Sequence, residues 1–175
     1  MTQNNRTTQK TQRIEPFVIS RVLDAPRDLM FKVWTDPKRL KNWWGPKGFT
    51  VTTLKVDLRP GGTMHYCLQG PNNLEIWGKF FYREVSPPER LVCVNCFSDK
   101  EGNITRHPLS PGWPREMLTT ITFKDLKGKT EVCIEWLPIN ASAEEIQTFD
   151  SGRASMTGGW TGTFDQLAEY LAKIK

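Results

Sequence analysis

Trp77-Gly78-Lys79-Phe80-Phe81-Tyr82-Arg83-Glu84-Val85-Ser86-Pro87-Pro88-Glu89-Arg90-Leu91-Val92 reads as a strand, a tight corner and a second strand. Aromatic and β-branched residues suit a pleated, half-buried surface. Pro87 and Pro88 have no backbone N–H to give to a ladder, so pairing stops there. Gly78, inside the first strand, predicts a bulge or a sharp bend. No catalytic signature accompanies the stretch.

Outward from this hairpin the same period of two continues. Leu74 to Val85 forms one long strand and Arg90 to Phe97 the next. Upstream, Met64, Tyr66 and Leu68 share a face, as do Leu54, Val56 and Leu58, with Thr53, Lys55 and Asp57 opposite. That alternation marks half-buried antiparallel strands. Arg59-Pro60-Gly61-Gly62 turns the chain between them. Phe17 to Leu23 is a first strand. Asp24-Ala25-Pro26 then opens a helix with the stripe Leu29, Met30, Val33 and Trp34. Asp36-Pro37 starts a second short helix carrying Leu40, Trp43 and Trp44, which Gly45-Pro46 breaks.

Downstream, Ser98 to Pro114 is irregular, with Asp99, Gly102, Asn103 and three prolines. Stretches this long often form lids or mouths of sites, and this one carries Arg106, His107 and Trp113. Met117, Thr119, Ile121 and Phe123 share the face of another strand, and Val132, Ile134 and Trp136 that of the last. Ser142-x-x-Glu145 is a capping box. Trp160, Phe164, Leu167, Leu171 and Ile174 follow at spacings of four, three, four and three, the stripe of an amphipathic helix. Gly152, Gly158, Gly159 and Gly162 each oppose that helix by up to about 1 kcal/mol. Close approach to the sheet, a kink, or room for a ligand would account for them. The order of elements predicts an α+β fold: a curved antiparallel sheet wrapped around a long C-terminal helix, with two short helices after the first strand. A bent sheet gripping one helix leaves a pocket between them.

The totals agree with one domain over residues 13–175, preceded by a disordered tail over 1–12. Charged residues are 25% and hydrophobic ones 38%, the balance of a water-soluble chain. No apolar run reaches the ~20 residues of a membrane span, and Met1 to Gln12 has no secretory apolar core. The expected compartment is the cytoplasm. The net charge of +5 is too small and too scattered to indicate nucleic acid. Lys38, Arg39, Lys41 and Lys47 sit on the solvent side of a helix whose Trp43 and Trp44 face inward. Cys93-Val94-Asn95-Cys96 lies in a strand, where residues three apart point to opposite faces. Those thiols share neither a metal nor an easy disulfide; they read as small buried hydrophobes.

Taken together, several phrases carry a family resemblance. They are Asp24-Ala25-Pro26, Trp43-Trp44-Gly45-Pro46, Asp57-Leu58-Arg59-Pro60-Gly61-Gly62, Tyr82 through Val92, and Gly159-Trp160 with the Phe164/Leu167/Leu171 stripe. From Arg13 to Lys175 the chain resembles a stand-alone SRPBCC (START-like, helix-grip) domain. More closely it resembles the branch named after the C-terminal domain of the heat-shock protein 90 ATPase activator. The resemblance implies a helix-grip fold with a deep apolar cavity between the sheet and the last helix. Relatives bind lipids, hormones, polyketides or other hydrophobic molecules, and some are cyclases or resistance proteins. The cochaperone itself has a separate N-terminal domain that this chain has no room for, which argues against chaperone activation. No shared catalytic motif maps onto these residues.

The expected cavity wall is Tyr66, Phe80, Tyr82, Met117, Thr119 and Trp136 from the strands, with Met156 and Trp160 from the gripping helix. Tyr66, Tyr82 and Thr119 would supply hydrogen bonds. A bulge at Gly78 would exchange Phe80 and Tyr82 for Trp77 and Phe81. Arg83 or Glu84 facing inward would anchor a polar group. His65 is a partly exposed strand residue; with Cys67 it lacks further ligands at any metal spacing. No catalytic residue, metal or cofactor is expected. The leading reading is a binder of a small hydrophobic or amphipathic molecule. An enzyme of cyclase, dehydratase or hydrolase type using the same cavity is an alternative. So is a protein-interaction module, including a chaperone partner, using the helix that bears Lys38 and Lys41.

Overall fold

The computed structural model describes residues 14–174; the expected tail over 1–12 lies outside them. Eight strands form one antiparallel sheet: β1 (Phe17–Leu23), β2 (Thr50–Val56), β3 (Thr63–Gln69), β4 (Glu75–Ser86), β5 (Arg90–Ser98), β6 (Ile104–Thr105), β7 (Glu116–Asp125) and β8 (Thr130–Ile139). Their order is β1-β8-β7-β5-β4-β3-β2, with the short β6 paired to β5. Helices α1 (Arg27–Thr35) and α2 (Pro37–Leu40) carry the chain from one sheet edge to the other. Helices α3 (Ala143–Ser151) and α4 (Arg153–Lys173) close it.

The quoted hairpin forms as read. Glu89 N–H donates to the Ser86 carbonyl at 2.8 Å, and Phe123 N–H to the Glu89 carbonyl at 2.9 Å, so the corner is tied to β7. The bulge, however, is not at Gly78. The register between β4 and β5 shifts between Tyr82 and Glu84. Tyr82 is held there by the Arg59–Gly62 turn: Gly61 N–H donates to the Tyr82 carbonyl and Tyr82 N–H to the Gly62 carbonyl, at 2.8 and 2.9 Å. Gly78 is needed for a different reason. A Cβ there would meet the Tyr66 ring at 2.4 Å, so the glycine makes room for an aromatic ring from the neighbouring strand. Phe80 and Tyr82 therefore stay on the buried face.

Two further expectations change in detail. Helix α2 ends at Leu40, and Trp43 and Trp44 sit in the turn after it, their backbone N–H groups still donating hydrogen bonds to the Leu40 carbonyl. The Ser98–Pro114 stretch is not wholly irregular, because β6 pairs with β5. The capping box at Ser142 forms, but the helix it starts breaks at Gly152. A Cβ at Gly152 would lie 2.9 Å from the Trp113 ring.

The core lies between the sheet and the helices. Val33, Ile134, Val132, Phe164 and Leu167 are essentially inaccessible, and each such side chain contributes about 1.5–3 kcal/mol of burial. Trp160, Phe164, Leu167 and Leu171 dock α4, as their spacing predicts. Among the described residues no helix is long and apolar enough to cross a membrane.

Candidate functional site

A cavity of about 590 Å³, partly open to solvent, lies between the sheet and the first half of α4. Its floor is aromatic. Trp44 meets Tyr66 and Phe80 edge-on, each with ring centroids 5.7 Å away, and Tyr66 meets Phe80 at 6.0 Å. Trp136 of β8 stands 5.5 Å from Trp160 of α4. Buried Trp34 of α1 fixes the arrangement from behind, 4.8 Å from Trp43, 6.0 Å from Trp44 and 6.3 Å from Trp160. Edge-to-face pairs of this kind add about 0.5–1.5 kcal/mol beyond their buried area. The Trp43 N–H donates to the Val33 carbonyl at 3.2 Å, locking the Trp43-Trp44 turn to α1. The floor is thus preformed.

The polar groups are few and placed. Asn95 of β5 points into the cavity, and its Oδ1 accepts from the Thr119 hydroxyl at 2.5 Å. His107, in the loop after β6, packs on Phe97 with ring centroids 4.2 Å apart. Its Nδ1 accepts from Leu109 N–H at 3.0 Å. Burial lowers the His107 pKa, so its neutral form dominates near pH 7. Burial also pushes the Tyr66 hydroxyl far above the usual tyrosine range. The Trp44 N–H lies near enough to favour the Tyr66 anion slightly, yet makes no hydrogen bond of ordinary geometry. Trp44, Trp136 and Trp160 each bury an indole N–H without a partner. Hydroxyls of Thr148 and Ser151 stand at the mouth.

The mouth is pinned by the loop. Arg106 Nη1 donates to Glu145 Oε1 at 2.5 Å and to the Pro111 carbonyl at 3.3 Å. Glu145 also completes the α3 capping box. His107 and Trp113, which flank this bond in the loop, both line the cavity.

Of the eight residues expected on the wall, Tyr66, Phe80, Trp136, Met156 and Trp160 line this cavity. Tyr82, Met117 and Thr119 do not. Tyr82 is shut beneath the floor in a void of about 10 Å³ with Met64, Leu91 and Cys93. Met117 and Thr119 are buried in β7 beside their cross-strand neighbours: Asn95 pairs with Met117 and Trp136 with Thr119, and those two neighbours take the wall. Arg83 is exposed, and Glu84 accepts from the Ser86 hydroxyl, so neither enters. His65 Nε2 contacts the Asp99 carbonyl at 3.1 Å, outside the cavity. Among the described residues no group of His, Cys, Asp or Glu has metal-binding geometry.

Residues 24–172 match the family model described as Activator of Hsp90 ATPase homolog 1-like protein. The chain belongs to this family. Comparison with curated proteins returns no match. Among solved structures, a Mycobacterium smegmatis protein is 23% identical over 90% of this chain and 91% of its own, with a TM-score of 0.73. A protein from Arthrobacter aurescens is 21% identical over 91% and 87%, with a TM-score of 0.75. The AHSA1 protein of Silicibacter pomeroyi is 17% identical over 92% and 100%, with a TM-score of 0.70. At these identities the likeness shows the helix-grip fold of the stand-alone members.

In this family member, the wall contains no Asp, Glu, Lys or Arg. Cys96 also lines it, but burial pushes its thiol up to about 11, and its Sγ is engaged with the Lys79 carbonyl. The arrangement therefore offers shape, aromatic faces and neutral hydrogen bonds rather than a charged acid–base pair or a thiolate. The wall residues that the sequence did not mark include Trp44, Leu68, Asn95, Phe97, His107 and Trp113. Two signals were present. Asn95 is a polar residue at an inward position of an otherwise apolar strand. His107 and Trp113 lie in the long loop expected at a mouth.

Proposed function

We propose that this protein binds a small hydrophobic or amphipathic organic molecule between its sheet and α4. The observation that carries this reading is the cavity of about 590 Å³, lined by Trp44, Tyr66, Phe80, Trp136 and Trp160 with a few neutral polar groups. Its size and lining match ligand sites in general, which run about 300–1,000 Å³ and are mostly apolar with few placed polar groups. The glycines of α4 support it: Gly159 borders the cavity, and a Cβ built there meets nothing within 4 Å. A packed core does not leave such space, since interiors match the density of organic crystals. Two of the basic residues around α2 are already paired. Arg39 pairs with Asp36 at 3.9 Å and Lys47 with Glu169 at 3.6 Å.

Native mass spectrometry of freshly purified protein, followed by titration with the neutral polarity-sensitive dye prodan, tests the proposal. A co-purifying small-molecule adduct, or saturable blue-shifted prodan emission, is expected. Protein at the bare chain mass together with unsaturable, unshifted prodan emission refutes it.

A further inference from the structure

We infer that the cavity selects a neutral, flat, carbonyl-bearing aromatic molecule whose acceptor oxygen meets the N–H donors of Asn95 and His107; this rests on the ligand-binding reading above. Two side chains of the wall have their hydrogen-bonding direction already decided by their neighbours. Thr119 gives its hydroxyl proton to Asn95 Oδ1 at 2.5 Å, which turns the oxygen end of that amide toward β7. The Nδ2 end has no partner among the described residues, and Asn95 lines the cavity. Leu109 N–H occupies His107 Nδ1 at 3.0 Å, which puts the ring proton of the neutral imidazole on Nε2. Both groups thus present donors.

The two donors belong to one sector. His107 stacks on Phe97 at 4.2 Å, and Phe97 is two residues from Asn95 on the same face of β5, a spacing of about 7 Å along a strand. Acceptors lie on the helix side instead. Thr148 and Ser151 give their protons to the Glu144 and Gln147 carbonyls at 3.0 and 2.8 Å, leaving their oxygens open at the mouth. A ligand atom facing Asn95 and His107 must therefore accept. It must also be uncharged, because the wall has no ionised side chain to pair with it. Flat rings suit the faces of Trp44, Tyr66, Phe80 and Trp136.

Three probes of one shape separate the possibilities: 9-fluorenone carries a carbonyl, fluorene nothing, and carbazole an N–H. Their binding is read by quenching of tryptophan fluorescence in the full chain. Two variants accompany the native protein. His107→Phe keeps the ring on Phe97 and removes the donor. The double variant Asn95→Leu, Thr119→Val removes both members of the buried pair, so neither is left unpaired. Comparing fluorenone-to-fluorene affinity ratios between proteins cancels the solubility difference of the probes. The native ratio is expected to exceed that of the double variant by on the order of fivefold to tenfold, with His107→Phe between them. Carbazole is expected to gain nothing over fluorene. If the double variant does not fold, His107→Phe, at a loop position, decides. Fluorene binding with a ratio unchanged in the variants, or a preference for carbazole, overturns the donor assignment and leaves the cavity reading standing. Failure of all three probes to bind overturns both.

Discussion

Replacing Gly159 with leucine is the sharpest test of where the molecule is hollow. Gly159 lies inside α4 and borders the cavity, and a Cβ built there meets nothing within 4 Å. Glycine in a helix interior costs about 0.8–1 kcal/mol relative to alanine, and leucine ranks close to alanine. The new side chain extends over an aromatic wall and recovers part of its burial energy, at about 25 cal/mol per Å² of apolar surface covered. A net stabilisation of about 1 kcal/mol follows, which raises Tm by roughly 2–4 °C for a chain of this size. The same leucine stands in the space assigned to ligand, so prodan affinity should fall at least about tenfold, the equivalent of 1.4 kcal/mol. Gly158→Leu is the control. It shares the helix and the open surroundings but is exposed, so it should keep prodan binding intact. Thermal unfolding and dye titration of both variants check this. Loss of more than about 1 kcal/mol in Gly159→Leu, or equal prodan affinity in the two variants, refutes the reasoning. Thr119→Trp, by contrast, strikes the packed sheet behind Asn95 and tests the fold rather than the cavity.

Gly78→Ala should cost about 1–3 kcal/mol by denaturant unfolding, because the added Cβ meets a Tyr66 ring already confined by Trp44 and Phe80. The Glu145 carboxyl is held below its usual pKa, first by the Ser142 backbone N–H and then by Arg106. Its contribution is complete above about pH 4.5, the ordinary value, and is lost as pH falls through the lowered native value. Glu145→Gln should therefore flatten the acid limb of the stability–pH curve; an unchanged limb counts against the latch between the loop and α3. Burial pushes the Cys93 and Cys96 thiols up to about 12 and about 11. At pH 8 an aromatic disulfide reagent should reach Cys93, which is fully buried and outside the cavity, only after unfolding in guanidinium, and rapid labelling of Cys93 in the native protein contradicts the packing.

Much of the scaffold was legible in the chain. The period of two placed Met117, Thr119, Ile121 and Phe123 on one buried face, as found. The spacing of Trp160, Phe164, Leu167 and Leu171 placed the docking stripe of α4, and Ser142 with Glu145 marked the start of α3. What misled was Gly78. A glycine in a strand signals either a bulge or a close neighbour, and only the position of Tyr66 chooses between them. The bulge went instead to Tyr82/Glu84, opposite a turn that donates backbone bonds from elsewhere in the sequence.

Alternating side chains along this chain determined which face of each strand turns inward, because a pleat permits only two directions. They did not determine which inward side chains border empty space. That depends on register and on what covers each position. Thr119 and Tyr82 point inward and are covered, while Asn95 and Trp136 border the void. His107 reaches it from a loop that Arg106 ties to α3 through an ion pair between residues 39 apart in sequence. Local periodicity is a property of the backbone, but a cavity is a property of several elements meeting, and only their tertiary arrangement decides what is left unfilled.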